Sequence, residues 1–223
     1  MTENKWFDPF YIQSNLTEEE VKIQKNVREF CNKELRPIVI DRNRNHKFDL
    51  NLYPKFGKLG VLGQTVRTHG GSGTSNLAYG LVTYEFEKID SSYRSSISVQ
   101  SSLVIHPISE FGSKEQKDKY LPDLINGKKI GCFGLTESEA GSDPSSMKTS
   151  FKETKDGFII NGTKNWITNA PIADLFIIWA LEEGKDHKSI KAFILDKNLN
   201  GLKTSVIENK TSLKISPTGQ IIL

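Results

Sequence analysis

Apolar positions along this chain keep a helical spacing up to residue 127 and a strand-like spacing after it. Thr17–Glu20 has the layout of a capping box, and Val21, Ile23, Val27, Phe30, Cys31 and Leu35 follow at helical intervals until Pro37. Leu52 to Leu59 reads as a short helix closed by Gly60. Ser75 or Asn76 caps a third, carrying Ala78, Leu81, Val82, Tyr84 and Phe86 to Ile89. An apolar segment from Ile97 to Ile108 is expected to be interrupted at Pro107, and Ser113–Gln116 again has a capping layout, leading to Tyr120, Leu121 and Leu124. Beyond Gly127 the period falls towards two. Gly131 to Leu135, Phe158 to Ile160, Leu175 to Leu181 and Ile190 to Leu195 read as strands, with Asp156-Gly157 and Asn161-Gly162 as tight turns. Helices followed by strands predict an α+β chain, with an α-helical unit over 1–127 and a β unit over 128–223.

Composition narrows the class. The chain has 223 residues, enough for a sizeable core, with 36% hydrophobic and 26% charged residues and a formal net charge of +3. That slight excess forms no basic tract, so nucleic acid is not an expected partner. No apolar run reaches the roughly 18 residues that span a bilayer. Met1–Pro9 lacks the layout of a secretion signal, and its early acids argue against a transit peptide. Cys31 and Cys132, far apart in apolar surroundings, read as reduced packing residues, which together place the chain in the cytoplasm, or in the mitochondrial matrix of a eukaryote. The sequence ends inside an apolar run, Gly219–Leu223, which suggests a chain cut short.

The richest chemistry lies at Gly131–Asp143, where an apolar strand runs into a loop of small and hydroxylated residues. Glycines there would let the backbone approach a ligand, successive N–H groups could hold an anion, and Thr136 and Ser142 add hydroxyls. A plain acidic surface turn is the bland alternative. Glu137, Glu139 and Asp143 fit no calcium-loop spacing. His106, before Pro107, reads as a packing residue rather than a base. Neither a Gly-x-Ser-x-Gly elbow nor a Gly-x-Gly-x-x-Gly turn occurs, which argues against a hydrolase and a nicotinamide-binding fold.

Gly134–Glu137 with Gly141–Asp143, followed by Asn161–Thr168, resembles the acyl-CoA dehydrogenase superfamily in order and spacing. Asp90–Ser95, Ser98–Ser102 and Ser142–Ser146 bring the resemblance nearest to glutaryl-CoA dehydrogenases, and it extends from Phe7–Pro9 to Thr218-Gly219. It implies an N-terminal α-helical domain, a middle β-barrel domain, a C-terminal four-helix domain and usually a homotetramer. Such enzymes oxidise acyl-CoA thioesters with FAD and pass electrons to an electron-transfer flavoprotein; the glutaryl type then decarboxylates its product to crotonyl-CoA.

By the same resemblance Phe133, Leu135 and Thr136 lie along the flavin, whose reduction places negative charge opposite their donors. Gly141 and Ser142 flank the FAD pyrophosphate and the CoA moiety. Trp166, Ile167 and Thr168 form the strand whose indole packs on the flavin and whose hydroxyl reaches towards its reactive nitrogen. Arg94, helped by Ser95 or Ser98 and by Glu87, would pair with the distal carboxylate of a dicarboxylic substrate. No metal is implied. The base glutamate belongs to the C-terminal domain, and nothing in residues 1–223 matches it. Lys214 stands where relatives commonly carry arginine, Thr211 replaces a usual aromatic, and Ser92 stands where glutaryl enzymes often have glycine. Two other readings stay open: a dehydrogenase of different acyl preference with Arg94 structural, and a non-catalytic flavin- or CoA-binding scaffold.

Overall fold

The computed structural model describes Asp8 and residues 10–223. The readings of Met1–Phe7 and Pro9 lie outside them. Seven α-helices lie in the first part of the described residues. The capping box forms at the start of α1 (Glu18–Phe30), where the Thr17 hydroxyl accepts from the Glu20 N–H and the Glu20 carboxylate accepts from the Thr17 N–H. A π-helical turn at Cys31–Leu35 carries α1 on towards Pro37. There follow α2 (Val39–Arg44), α3 (Leu52–Leu59, ended by Gly60 at φ 76°) and α4 (Asn76–Glu87, capped by Ser75). Then come α5 (Ser91–Ser98), α6 (His106–Phe111) and α7 (Lys114–Ile125), the last with a second capping box at Ser113.

Pro107 does not interrupt its segment. A π-helical stretch at Val99–Ile105 joins α5 to α6, and the proline is the second residue of α6, directly after these wider turns. His106 is exposed on this rod rather than packed, because its neighbours Val104, Ile105 and Ile108 take the inward positions. The long rod and α1, α3, α4 and α7 enclose one core with Phe56, Phe86 and Tyr93 at its centre. Glu85 of α4 is buried in it and is compensated by Gln24 and Arg28 of α1, each at 2.9 Å.

Eight strands follow in two sheets. In the first, β1 (Gly131–Gly134) pairs parallel with β5 (Leu175–Glu182), which also pairs with β2 (Ser150–Thr154) and with β6 (Lys191–Asp196); β3 (Gly157–Asn161) pairs with β2. In the second, β8 (Thr218–Ile222) lies between β4 (Thr163–Thr168) and β7 (Lys203–Val206). The sheets meet across Cys132, Phe176 and Ile178 on one side and Ile167 and Ile221 on the other. The hairpin expected at Asp156-Gly157 forms, but its two turn residues are Lys155 and Asp156, and Gly157 opens β3 opposite Thr154. Asn161-Gly162 makes no such turn: the chain there crosses from one sheet to the other, and a Cβ at Gly162 (φ 153°) would sit 2.6 Å from the Thr149 Cα.

Helical and β parts share a seam. Leu175, Ile177 and Ile215 belong to the helical core. The fully buried Gln100, in the π-helical stretch, donates to the carbonyls of Leu124 and Lys129 and accepts from the Gly131 N–H at 2.9 Å. The loop begins where this amide grips it. No described helix is long and apolar enough to cross a membrane.

Candidate functional site

Two segments build the site: the exit from β1 over residues 134–143, and β4. They are joined by the Asn165 N–H donating to the Thr136 carbonyl at 2.9 Å and by Lys164 Nζ donating to the Leu135 carbonyl at 3.0 Å. The same Nζ lies 2.8 Å from Glu137 Oε1, with the lysine 0% exposed. Glu137 accepts as well from the N–H groups of Lys148 and Thr149, at 2.7 and 3.0 Å. Burial pushes its pKa up, but these hydrogen bonds outweigh it and hold the carboxyl below the usual range. For Lys164 burial wins, and the ammonium is depressed despite Glu137. The sequence reading gave Glu137 no task and passed over Lys164.

β4 does not alternate regularly. In a plain strand Lys164, Trp166 and Thr168 would share a face. A register shift between Lys164 and Ile167 against β8 inserts an extra residue, so Lys164 and Ile167 both point inward and Trp166 turns out. Trp166 takes a left-handed φ of 62°, its N–H bonds the Asn165 side-chain oxygen at 3.0 Å, and it is 59% exposed. A bulky residue held there costs on the order of 1–3 kcal/mol, which the surrounding ladder must sustain. An open, flat apolar face is the result.

The other expected site residues distribute as follows. Thr136 and Thr168 are half-buried, and neither side-chain hydroxyl has a hydrogen-bond partner among the described residues. Ile167 is packed between the sheets, so only its backbone can meet a ligand. The Phe133 ring faces the helices, edge-on to Trp179 at 5.9 Å, and lines an apolar cavity of about 400 Å³ with Leu103, Phe111 and Ile177. Gly141 and Ser142 are exposed.

The glycines of the loop divide by cause. A Cβ at Gly131 would meet Val104 at 2.4 Å, and one at Gly134 would meet Ile178 at 2.6 Å, so packing inside the protein requires them. At Gly141 nothing lies within 4 Å of such a Cβ. Room for a ligand is therefore a reason for Gly141 alone.

On the helical side, Arg94 stands within α5, half-exposed, with Nε 2.8 Å from Glu87 Oε2. Glu87 also accepts from the Ser91 hydroxyl, and these two bonds, Ser91 first, draw its pKa down. Ser95 is buried on the same helix and Ser98 half-buried. Cys31 and Cys132 are buried free thiols whose pKa values burial raises, that of Cys31 to about 12.

Comparison with known proteins agrees with this architecture. The model of the acyl-CoA dehydrogenase N-terminal domain matches residues 17–128, and that of the middle domain matches residues 132–223. A short-chain specific acyl-CoA dehydrogenase of Clostridium acetobutylicum is 35% identical over 210 residues, covering 93% of this chain and 55% of the relative. A glutaryl-CoA dehydrogenase from Mycobacterium smegmatis, solved in complex with FADH2, superposes with a TM-score of 0.93 at 38% identity, over 96% of this chain and 55% of that one. Butyryl-CoA dehydrogenase from Megasphaera elsdenii gives 0.86 at 34%, over 93% and 56%. The chain thus spans about half the length of these relatives. With both domain models matched in order across the helical and the β part, the chain belongs to the acyl-CoA dehydrogenase family.

Proposed function

We propose that these residues form the FAD- and acyl-CoA-binding half of a flavin-dependent acyl-CoA dehydrogenase, with a helical domain over 1–127 and a β domain over 128–223. The observation that carries this reading is Trp166, an indole held outward at a strained bulge where packing would have kept it in. A tricyclic ring fits such a face, and the free hydroxyls of Thr136 and Thr168 fit its polar edge. Bound FAD supplies a hydride acceptor for the substrate's β-carbon. Thr136 and the backbone of Leu135 would donate to the flavin's pyrimidine side, Thr168 would orient towards its reactive nitrogen, and Ser142 beside the open Gly141 would donate to the pyrophosphate. Phe133 and Ile167 support this wall from behind. An electron-transfer flavoprotein is the proposed acceptor and a homo-oligomer the proposed assembly.

Within the family, glutaryl-CoA with decarboxylation to crotonyl-CoA is the proposed reaction of the whole protein. Arg94 would hold the distal carboxylate, with Ser95, Ser98 and Glu87 around it. A second reading, another acyl preference, is favoured by one observation: Glu87 already neutralises Arg94. In the whole protein, Arg94→Ala separates the two. A loss of about a hundredfold in kcat/KM for glutaryl-CoA but not butyryl-CoA supports the clamp; equal turnover of both substrates removes it. FAD titration of the chain, followed by flavin fluorescence in wild type and Trp166→Ala, tests the ring site. Equal affinity in the two would refute it.

A further inference from the structure

The cleft between the end of α2 and the loop joining β7 to β8 carries charge that the dehydrogenase reading does not use. Its volume is about 470 Å³, and its lining includes Arg44, His46, Lys210, Lys214 and Ser216, with Glu208 as the one carboxylate. Among the described residues none of Arg44, Lys210 and Lys214 has a carboxylate within ion-pair distance. Three cationic side chains against one carboxylate leave an excess of two positive charges. A phosphate monoester near neutral pH carries the complementary charge.

The groups play different parts. Lys210 Nζ donates to the carbonyls of Leu213 and Ser216, at 2.7 and 2.5 Å, and to the Thr218 hydroxyl at 2.8 Å. Its three donors are thereby used, so it supplies a fixed charge and no further hydrogen bond. Burial lowers its pKa. Ser216 is 2% exposed, and its hydroxyl has no hydrogen-bond partner among the described residues. A buried, unpaired hydroxyl in the wall of a cationic cleft has a hydrogen bond to give to an acceptor that enters it. Arg44 and Lys214, on opposite walls, are free to donate.

We propose that this cleft binds a phosphate-bearing anion, with Lys214 and Arg44 as charged donors, Ser216 as the buried neutral donor and Lys210 as the fixed charge. The proposal does not depend on flavin binding, although Thr218 at its edge is the ladder partner of Thr168. Calorimetric titration of the chain with inorganic phosphate, adenosine monophosphate and adenosine tests it. Saturable binding of either phosphate species below about 1 mM is expected. Equal affinity for the two identifies free phosphate as the ligand, whereas tighter binding of the nucleotide identifies a phosphorylated metabolite. The Arg44→Gln/Lys214→Gln variant should lose about tenfold or more in affinity and Ser216→Ala about threefold to tenfold, with Lys152→Gln as an unaffected surface control. Ser216→Ala removes a hydroxyl that bonds none of the described residues, so it keeps the test open if the double variant does not fold. FAD titration in parallel separates failure of this site from failure of the flavin site. Adenosine binding as well as its monophosphate, or phosphate affinity unchanged in Ser216→Ala, would overturn the proposal.

Discussion

Lys164 and Glu137 form an ion pair inside the β domain that ties the loop after β1 to the strand bearing Trp166. The lysine is wholly buried, and the glutamate, 9% exposed, gathers two backbone N–H groups besides. A pair so placed is weak evidence of net stability but costly to break on one side. Lys164→Met should therefore destabilise the chain by about 3–5 kcal/mol, and adding Glu137→Leu should recover part of that loss. Urea denaturation of both single variants and the double variant measures the coupling. Additive effects would mean that the two side chains do not act as a pair.

The same glutamate shapes the acid limb of the stability curve. Its folded pKa lies below the ordinary 4.5, so its contribution is fully present above that value and is lost as pH falls through the lower folded one. The midpoint of thermal unfolding should drop more steeply below pH 4.5 in wild type than in Glu137→Gln. Parallel acid limbs would assign the loss to other carboxylates.

Trp166 offers a test in which stability and binding move apart. Glycine adopts φ 62° without strain, a relief of about 1–2 kcal/mol. The added backbone entropy of the unfolded glycine offsets about 0.5–1 kcal/mol of it. Trp166→Gly should leave the melting temperature unchanged or slightly raised and yet weaken FAD binding about tenfold. A marked fall in melting temperature would instead make the indole part of the packing.

The loop glycines should respond according to what surrounds them. Gly134→Ala presses on Ile178 and the Lys164 stem and should cost about 1–3 kcal/mol by chemical denaturation. Gly141→Ala meets no atom of the described residues, so its stability should match wild type while its affinity for FAD or acyl-CoA falls. If ligand affinity also survives in Gly141→Ala, close approach of a ligand at that point is refuted.

Much of the scaffold could be read from residues 1–223 alone. The caps at Thr17, Ser75 and Ser113, the stop at Gly60 and the Asp156-Gly157 hairpin are local events, decided by side chains within four residues of one another. So was the change of period near residue 127, because a buried face imposes its spacing on the segment that forms it. The order and spacing of the Gly134–Asp143 and Asn161–Thr168 motifs specified the family.

Tertiary structure decided what those motifs do. The outward turn of Trp166 depends on a bulge against β8, some fifty residues away in sequence, which no alternation within β4 reveals. Lys164 could be recognised as an interior cation only once Glu137 and the Leu135 carbonyl were brought beside it. Gly131 and Gly134 proved to be packing glycines because Val104 and Ile178 arrive from other elements. The cationic cleft joins α2 to the β7–β8 loop across more than 160 residues, so its charge excess exists only in three dimensions. Local hydrogen bonding and periodic burial are written in neighbouring residues; desolvation, charge balance and close contact belong to pairs that only the folded chain assembles.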